Sequence, residues 1–95
     1  MSTYVTLCQF TEHGARNIKD TVTRAREIGA AVEKAGGKIT FYWTQGRYDL
    51  IAVAEGSEEL AMLTTLNTAK SGYIRTETLR AFAGEEMERF LKKLP

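Results

Sequence analysis

The run Lys38–Ala54, KITFYWTQGRYDLIAVA, decides the fold of this chain. Lys38 to Trp43 and Tyr48 to Ala54 are rich in β-branched and aromatic side chains, which suit a pleated, half-buried surface. Thr44-Gln45-Gly46-Arg47 separates the two runs, and Gly46 can take the positive φ that a tight reversal requires. The reading is a β-hairpin. Its strands need partners and a cover, and the flanking sequence supplies both.

Upstream, Tyr4 to Phe10 reads as a first strand that stops at Thr11-Glu12-His13-Gly14. Ile18, Val22, Ala25, Ile28, Ala31, Val32 and Ala35 then recur at three- and four-residue steps, the spacing of one helix face. Gly36-Gly37 closes that helix, and Asp20-Thr21 offers an internal N-cap that breaks it near its start. Downstream, Ser57 followed by Glu58-Glu59 places a capping oxygen and two negative charges at the positive end of a second helix. Leu60, Met62, Leu63 and Leu66 are its expected core positions, and Gly72 its end. Tyr73 to Phe82 alternates as a last strand, with Ile74, Thr76, Thr78, Arg80 and Phe82 on one face. Glu85 and Glu86 open a short terminal helix carrying Met87, Phe90, Leu91 and Leu94 on one side.

The order is β-α-β-β-α-β plus a C-terminal helix, within a single domain over residues 1–95. It predicts an α+β fold of the ferredoxin-like type, a four-stranded antiparallel sheet with helices on one face. The opposite face must then find a cover or stay exposed. Strand residues are bulky on both sides: Tyr4, Cys8 and Phe10 against Val5 and Leu7, and Ile39, Phe41 and Trp43 against Tyr42. A second copy packed sheet to sheet is the expected cover, making a homodimer or higher homo-oligomer. In one arrangement Thr76 and Thr78 join Thr6, Thr40, Tyr42 and Thr44 on that uncovered face, lining a cavity between subunits.

Composition narrows the function classes. Thirteen Lys and Arg against twelve Asp and Glu leave a formal charge of +1, not the basic surplus that draws nucleic acid. No run approaches the apolar length of a membrane span, and no basic-then-apolar leader opens the sequence, so a cytoplasmic protein with no membrane partner is expected. Cys8 is the lone cysteine, which removes intramolecular disulfides and reads as a small core filler with a protonated thiol. One His and one Cys do not make a zinc set, and no glycine pattern of a nucleotide loop occurs. No metal and no cofactor are expected.

Tyr48 and Asp49 place a phenol donor and a carboxylate acceptor beside Arg47 and the indole of Trp43, and with Tyr42 these form the expected ligand-binding group. The alternative is local geometry: Gly46 turns the chain, Tyr48 packs, and Asp49 receives a backbone or Arg hydrogen bond. Histidine is the side-chain type suited to proton transfer near neutrality, so His13, with Tyr48 and Asp49, forms the acid–base candidate set, against the alternative of an exposed helix-start residue.

Gly46-Arg47-Tyr48-Asp49, Phe41-Tyr42-Trp43 before it, Thr11 to Asp20 after the first strand and Arg75 to Phe82 in the last strand together resemble the GYD-domain family. That resemblance implies a small ferredoxin-like protein similar to dimeric α/β barrels, and implies no established activity. Three functions fit. The first is an oligomeric protein binding or sensing a small metabolite in a cavity by the sheet or the subunit interface, with Trp43 as a fluorescent reporter. The second is a cofactor-independent enzyme acting on a small carbonyl or aromatic compound. The third is a structural assembly subunit.

Overall fold

The hairpin read from Lys38–Ala54 forms, with β2 (Lys38–Trp43) and β3 (Leu50–Gly56) antiparallel and Trp43 opposite Leu50. Gly46 takes φ 105° at its tip. The second strand begins two residues later than its composition suggests. Thr44 N–H donates to the Asp49 carbonyl at 3.0 Å and Thr44 Oγ1 to the Tyr48 carbonyl at 2.6 Å, so Tyr48 and Asp49 belong to the loop.

The computed structural model describes all 95 residues, Met1–Pro95. Before the hairpin lie β1 (Ser2–Phe10), α1 (Glu12–Arg16) and α2 (Thr21–Lys34). After it come α3 (Glu58–Ser71), β4 (Ile74–Ala81) and α4 (Gly84–Lys92). The sheet order is β2-β3-β1-β4 with every neighbouring pair antiparallel, the ferredoxin-like arrangement.

Several local readings hold. Ser57 Oγ accepts from Leu60 N–H at 3.1 Å, and α3 ends at Gly72 with φ 76°, a left-handed cap. The helix after β1 does break near Asp20, though by other means than an Asp20 cap. The chain leaves α1 at Asn17, passes through a 3-10 turn at Ile18–Asp20, and Asp20 makes no side-chain capping bond. Thr11 is the side chain that caps α1, accepting from Gly14 N–H at 3.1 Å.

Helices α2 and α3 cover one face of the sheet. Cys8, Leu50 and Ala52 lie buried there, at 1, 4 and 4% exposure, with Thr6 and Cys8 paired to Thr78 and Thr76. Thr6 and Thr78 hydroxyls meet at 3.3 Å beneath the helices. The threonine group expected on the uncovered face therefore does not assemble: Thr6, Thr76 and Thr78 are on the covered side, Thr40 and Tyr42 on the other, and Thr44 in the loop. The uncovered face carries Val5, Leu7, Ile51, Val53 and Leu79 in adjoining register, with Val53 and Leu79 exposed.

The expected core of α3 is also corrected. Met62, Leu63 and Leu66 are exposed, and Thr68 is the buried residue of this helix. Its inward side runs through Leu60, Thr64 and Thr68, four residues apart, and each threonine returns its hydroxyl to a carbonyl one turn back, Thr64 to Leu60 and Thr68 to Thr64 at 2.8 Å. Satisfied that way, a threonine can face the interior without an orphaned donor.

The terminal helix stands off the body. Glu86 Oε1 accepts from Ala83 N–H at 3.2 Å, Arg80 pairs with Glu86 at 3.3 Å, and Phe82 meets Phe90 edge to face at 5.3 Å. The Ala83 backbone bond, with Arg80 and Arg89 nearby, holds the Glu86 carboxyl below its ordinary pKa. These contacts fix where α4 leaves β4, yet Met87, Phe90, Leu91 and Leu94 remain exposed. Only nine of 95 residues are buried. The accessible surface of 6968 Å² compares with roughly 5,500 Å² for a folded monomer of this mass. The radius of gyration, 14.8 Å, likewise exceeds the roughly 12 Å of a compact chain of this length.

Candidate functional site

Helix α2 packs mainly on β2 and α3 on β4, and the two helices touch each other sparingly. The gap between them, floored by the sheet, is a cleft of about 410 Å³. Phe10, Phe41, Leu50 and Ile74 make its apolar floor. Ala25, Ile28, Ala31 and Val32 line it from α2, and Leu60, Leu63, Thr64 and Thr68 from α3. At one end the polar groups gather: Asn17 at the end of α1, Thr21 and Arg24 at the start of α2, Asn67 and Ser71 at the end of α3, with Tyr73 leading into β4. Antiparallel helices bring those two ends together.

A close backbone approach builds that end. Gly14 is buried, and a Cβ there would overlap the Tyr73 carbonyl oxygen, which accepts from Thr11 N–H at 3.1 Å. Thr11 Oγ1 donates to the Gly72 carbonyl at 2.6 Å while accepting from Gly14. The chain entering α1 is thus stitched to the chain leaving α3, and Tyr73 is held at the cleft. Its ring carries Arg24, with Cζ 2.9 Å from the ring centroid, and His13, with ring centroids 4.4 Å apart.

Most polar liners are already bonded. Thr64, Thr68 and Ser71 donate to carbonyls of their own helix. Thr21 Oγ1 accepts from the Trp43 indole N–H at 3.0 Å, and Asn17 Nδ2 donates to the His13 carbonyl at 2.9 Å. Arg24 differs: its Nε is buried with no hydrogen-bond partner, and the guanidinium is in neither of the two ion pairs, Arg16–Glu12 and Arg80–Glu86.

The residues singled out in the sequence divide. Asp49 Oδ2 accepts from Phe10 N–H at 2.9 Å, and Asp49 N–H donates to the Cys8 carbonyl at 2.9 Å, which ties the hairpin loop to the end of β1. The Arg47 carbonyl accepts from Gln9 Nε2 at 3.0 Å, adding to that tie, and the Arg47 guanidinium lies 5.6 Å from the Tyr48 ring centroid. Tyr48 donates its hydroxyl to Glu77 at 3.4 Å. Tyr42 is exposed on the uncovered face. Trp43 reaches the cleft only through Thr21. His13 sits at the cleft end on Tyr73, with Nδ1 3.5 Å from Asn17 Nδ2, and no hydrogen bond joins it to Tyr48 or Asp49.

Arg24, Asn67 and Tyr73 were not singled out from the sequence. For Arg24 a signal was there: it lies four residues before Ile28 and seven before Ala31, so it stands as a charge in line with the apolar stripe of α2, beside Ala25. A charged residue in line with an inward stripe points to a cavity or a partner.

Burial raises the Cys8 thiol from an ordinary 9.0 to about 11. No three His, Cys, Asp or Glu side chains converge to hold a metal ion. No helix is long and apolar enough to cross a membrane. Comparison with curated proteins and with solved structures finds no match. The family model of the GYD domain matches residues 4–91, covering all four strands and both helices of the cleft, and the chain therefore belongs to the GYD domain family.

Proposed function

We propose that this chain is a homo-oligomeric small-molecule binding protein of the cytoplasm. Two copies pair through the uncovered sheet face, and each holds a small metabolite in the cleft between α2 and α3. The observation that carries the reading is the cleft itself: about 410 Å³, with an apolar floor and polar groups gathered at one end. Small-molecule sites combine those features within roughly 300–1,000 Å³.

Pairing is supported by the sparse burial of the single copy and by the apolar row Val5, Leu7, Ile51, Val53 and Leu79. A second copy laid on that row would cover it by the same sheet-on-sheet packing that fills a sandwich core. Binding is favoured over acid–base catalysis because no hydrogen bond joins His13 to Tyr48 or Asp49, and the Asp49 carboxylate already accepts from Phe10 N–H.

Native mass spectrometry of freshly purified protein, before and after mild denaturant, tests both halves. An even oligomer with excess mass that is lost on stripping is the expected result, and the excess gives the ligand's formula. A bare oligomer would favour the assembly-subunit reading, and a bare monomer would remove the pairing.

A further inference from the structure

We infer that the cleft takes a small oxyanion with an apolar body, a carboxylate or sulfonate, and that Arg24 is the residue that holds its charge. This rests on the binding reading above and adds the chemical class of the ligand.

Arg24 is the only basic side chain lining the cleft. Its guanidinium carbon sits over the Tyr73 ring, 2.9 Å from the centroid, and neither an ion pair nor a hydrogen bond within the chain engages its N–H donors. One of them, Nε, is buried and orphaned. Buried polar groups in native structures almost always have a partner, so the orphaned Nε marks a guanidinium whose charge is unmatched within the chain, and a ligand acceptor meeting the remaining donors from the cleft would match it. The neighbouring hydroxyls of Thr64, Thr68 and Ser71 are committed to helix carbonyls and do not compete for that acceptor. A guanidinium with free donors matches an oxyanion in a forked geometry that a neutral carbonyl cannot fill.

The remaining surface sets the body of the ligand. Phe10, Phe41, Leu50 and Ile74 form a floor with no hydrogen-bonding side chain. Glu27 is the only acidic liner, and its charge opposes a second negative group. A monoanion with a compact apolar or aromatic body satisfies both ends.

The test uses two fluorescent probes with the same aromatic body, anilinonaphthalene sulfonate and the uncharged N-phenyl-naphthylamine, titrated into the intact protein. Ala31→Trp, at an exposed liner of the cleft, blocks the site and identifies any emission from other apolar surface. The wild-type protein should bind the sulfonate about tenfold tighter than the neutral probe at this site, the worth of one charge-assisted contact. Arg24→Met should erase that preference and leave the neutral probe nearly unchanged. Glu27→Gln, at an exposed position that does not endanger folding, should raise sulfonate affinity severalfold and leave the neutral probe alone.

Equal affinities for the two probes, both lost in Ala31→Trp, would overturn the anion anchor while keeping the cleft. An Arg24→Met protein that stays folded and keeps the preference would overturn it too, as would a Glu27→Gln protein with no gain. If Ala31→Trp removes neither probe, the cleft reading fails and the inference fails with it.

Discussion

Beneath α2 and α3 the middle of the sheet carries Thr6, Cys8, Thr76 and Thr78, while the face under nothing carries Val5, Leu7, Ile51, Val53 and Leu79. On the covered face these small side chains lie between the bulkier Phe10, Phe41 and Ile74, and the helices stand apart over a cleft instead of closing into a core. The uncovered face has the bulk and lacks the cover. Apolar area is favourable to bury at roughly 25 cal/mol per Å², and this imbalance is what supports the proposed pairing through the free face.

The largest expected effect breaks the uncovered face. Val53→Asp puts a charge in the middle of the apolar row, opposite Val5 and Thr40, where a single copy tolerates it because Val53 is 38% exposed. Pairing would bury that charge without a partner, at a cost on the order of 3–5 kcal/mol. Sedimentation should show an oligomer for the wild type and a folded monomer for the variant, with a melting temperature that is lower and no longer depends on concentration. A variant that sediments as the wild type would place the interface elsewhere, the exposed stripe of α4 being the next region to mutate.

The next effect falls on the covered side. Gly14→Ala drives a methyl group into the Tyr73 carbonyl, backbone that cannot move without breaking the Thr11 bond to that oxygen. Overpacking of this kind costs about 1–3 kcal/mol, a fall of about 10 °C in melting temperature for a chain of this size. Because Tyr73 backs Arg24, binding of the sulfonate probe should weaken as well. Gly84→Ala, in open space at the start of α4, should leave both properties within error. If the two variants behave alike, the cleft end is less tightly built than the contact implies.

The architecture was legible because its signals are local. Gly46 and Gly72 hold positive φ where a turn and a helix end need it, Ser57 caps α3, and alternation along Tyr4–Phe10 and Tyr73–Phe82 gives the strands. Failures came where a choice depends on the other side of the space. The leucines of α3 looked like core because apolar residues usually turn inward, but Thr64 and Thr68 can do so by bonding back to their own helix. Alternation along β4 separates two faces without saying which one the helices take, so the arrangement that gathers the threonines on the uncovered face is open in the sequence and excluded only by the register with β1. Arg24 was passed over because a charge on a helix ordinarily points to water, and only the placement of Tyr73 shows it turned to the cleft.

A smaller effect decides whether the hairpin belongs to the fold or to a site. Asp49→Ala leaves the Phe10 N–H without its charged acceptor and should cost about 2 kcal/mol in chemical denaturation. Tyr48→Phe removes one long, exposed hydrogen bond to Glu77 and should change stability by less than about 0.5 kcal/mol. Both should bind the cleft probes as the wild type does. The opposite pattern, an unaltered denaturation midpoint with binding lost in Asp49→Asn, would return the ligand to the hairpin and detach it from the cleft.

A last effect, visible only at alkaline pH, reads how dry the covered face is below the cleft. Cys8 is at most 1% exposed, and its thiol is raised by burial to about 11 from an ordinary 9.0. The folded protein therefore holds the thiol proton more tightly than the unfolded chain does, and by linkage its contribution to stability is complete below pH 9.0, then declines as pH rises toward about 11. Tyrosines and lysines titrate in the same range, so the quantity to measure is the difference between wild type and Cys8→Ala. Urea midpoints should converge as pH climbs through that window and run parallel below it. Thiol reagents should label the native protein slowly, at the rate of transient opening. Midpoints that stay parallel up to pH 11, together with fast labelling, would mean that water reaches the strand beneath the helices, and that the cleft is a wetter and more open site than its apolar floor suggests.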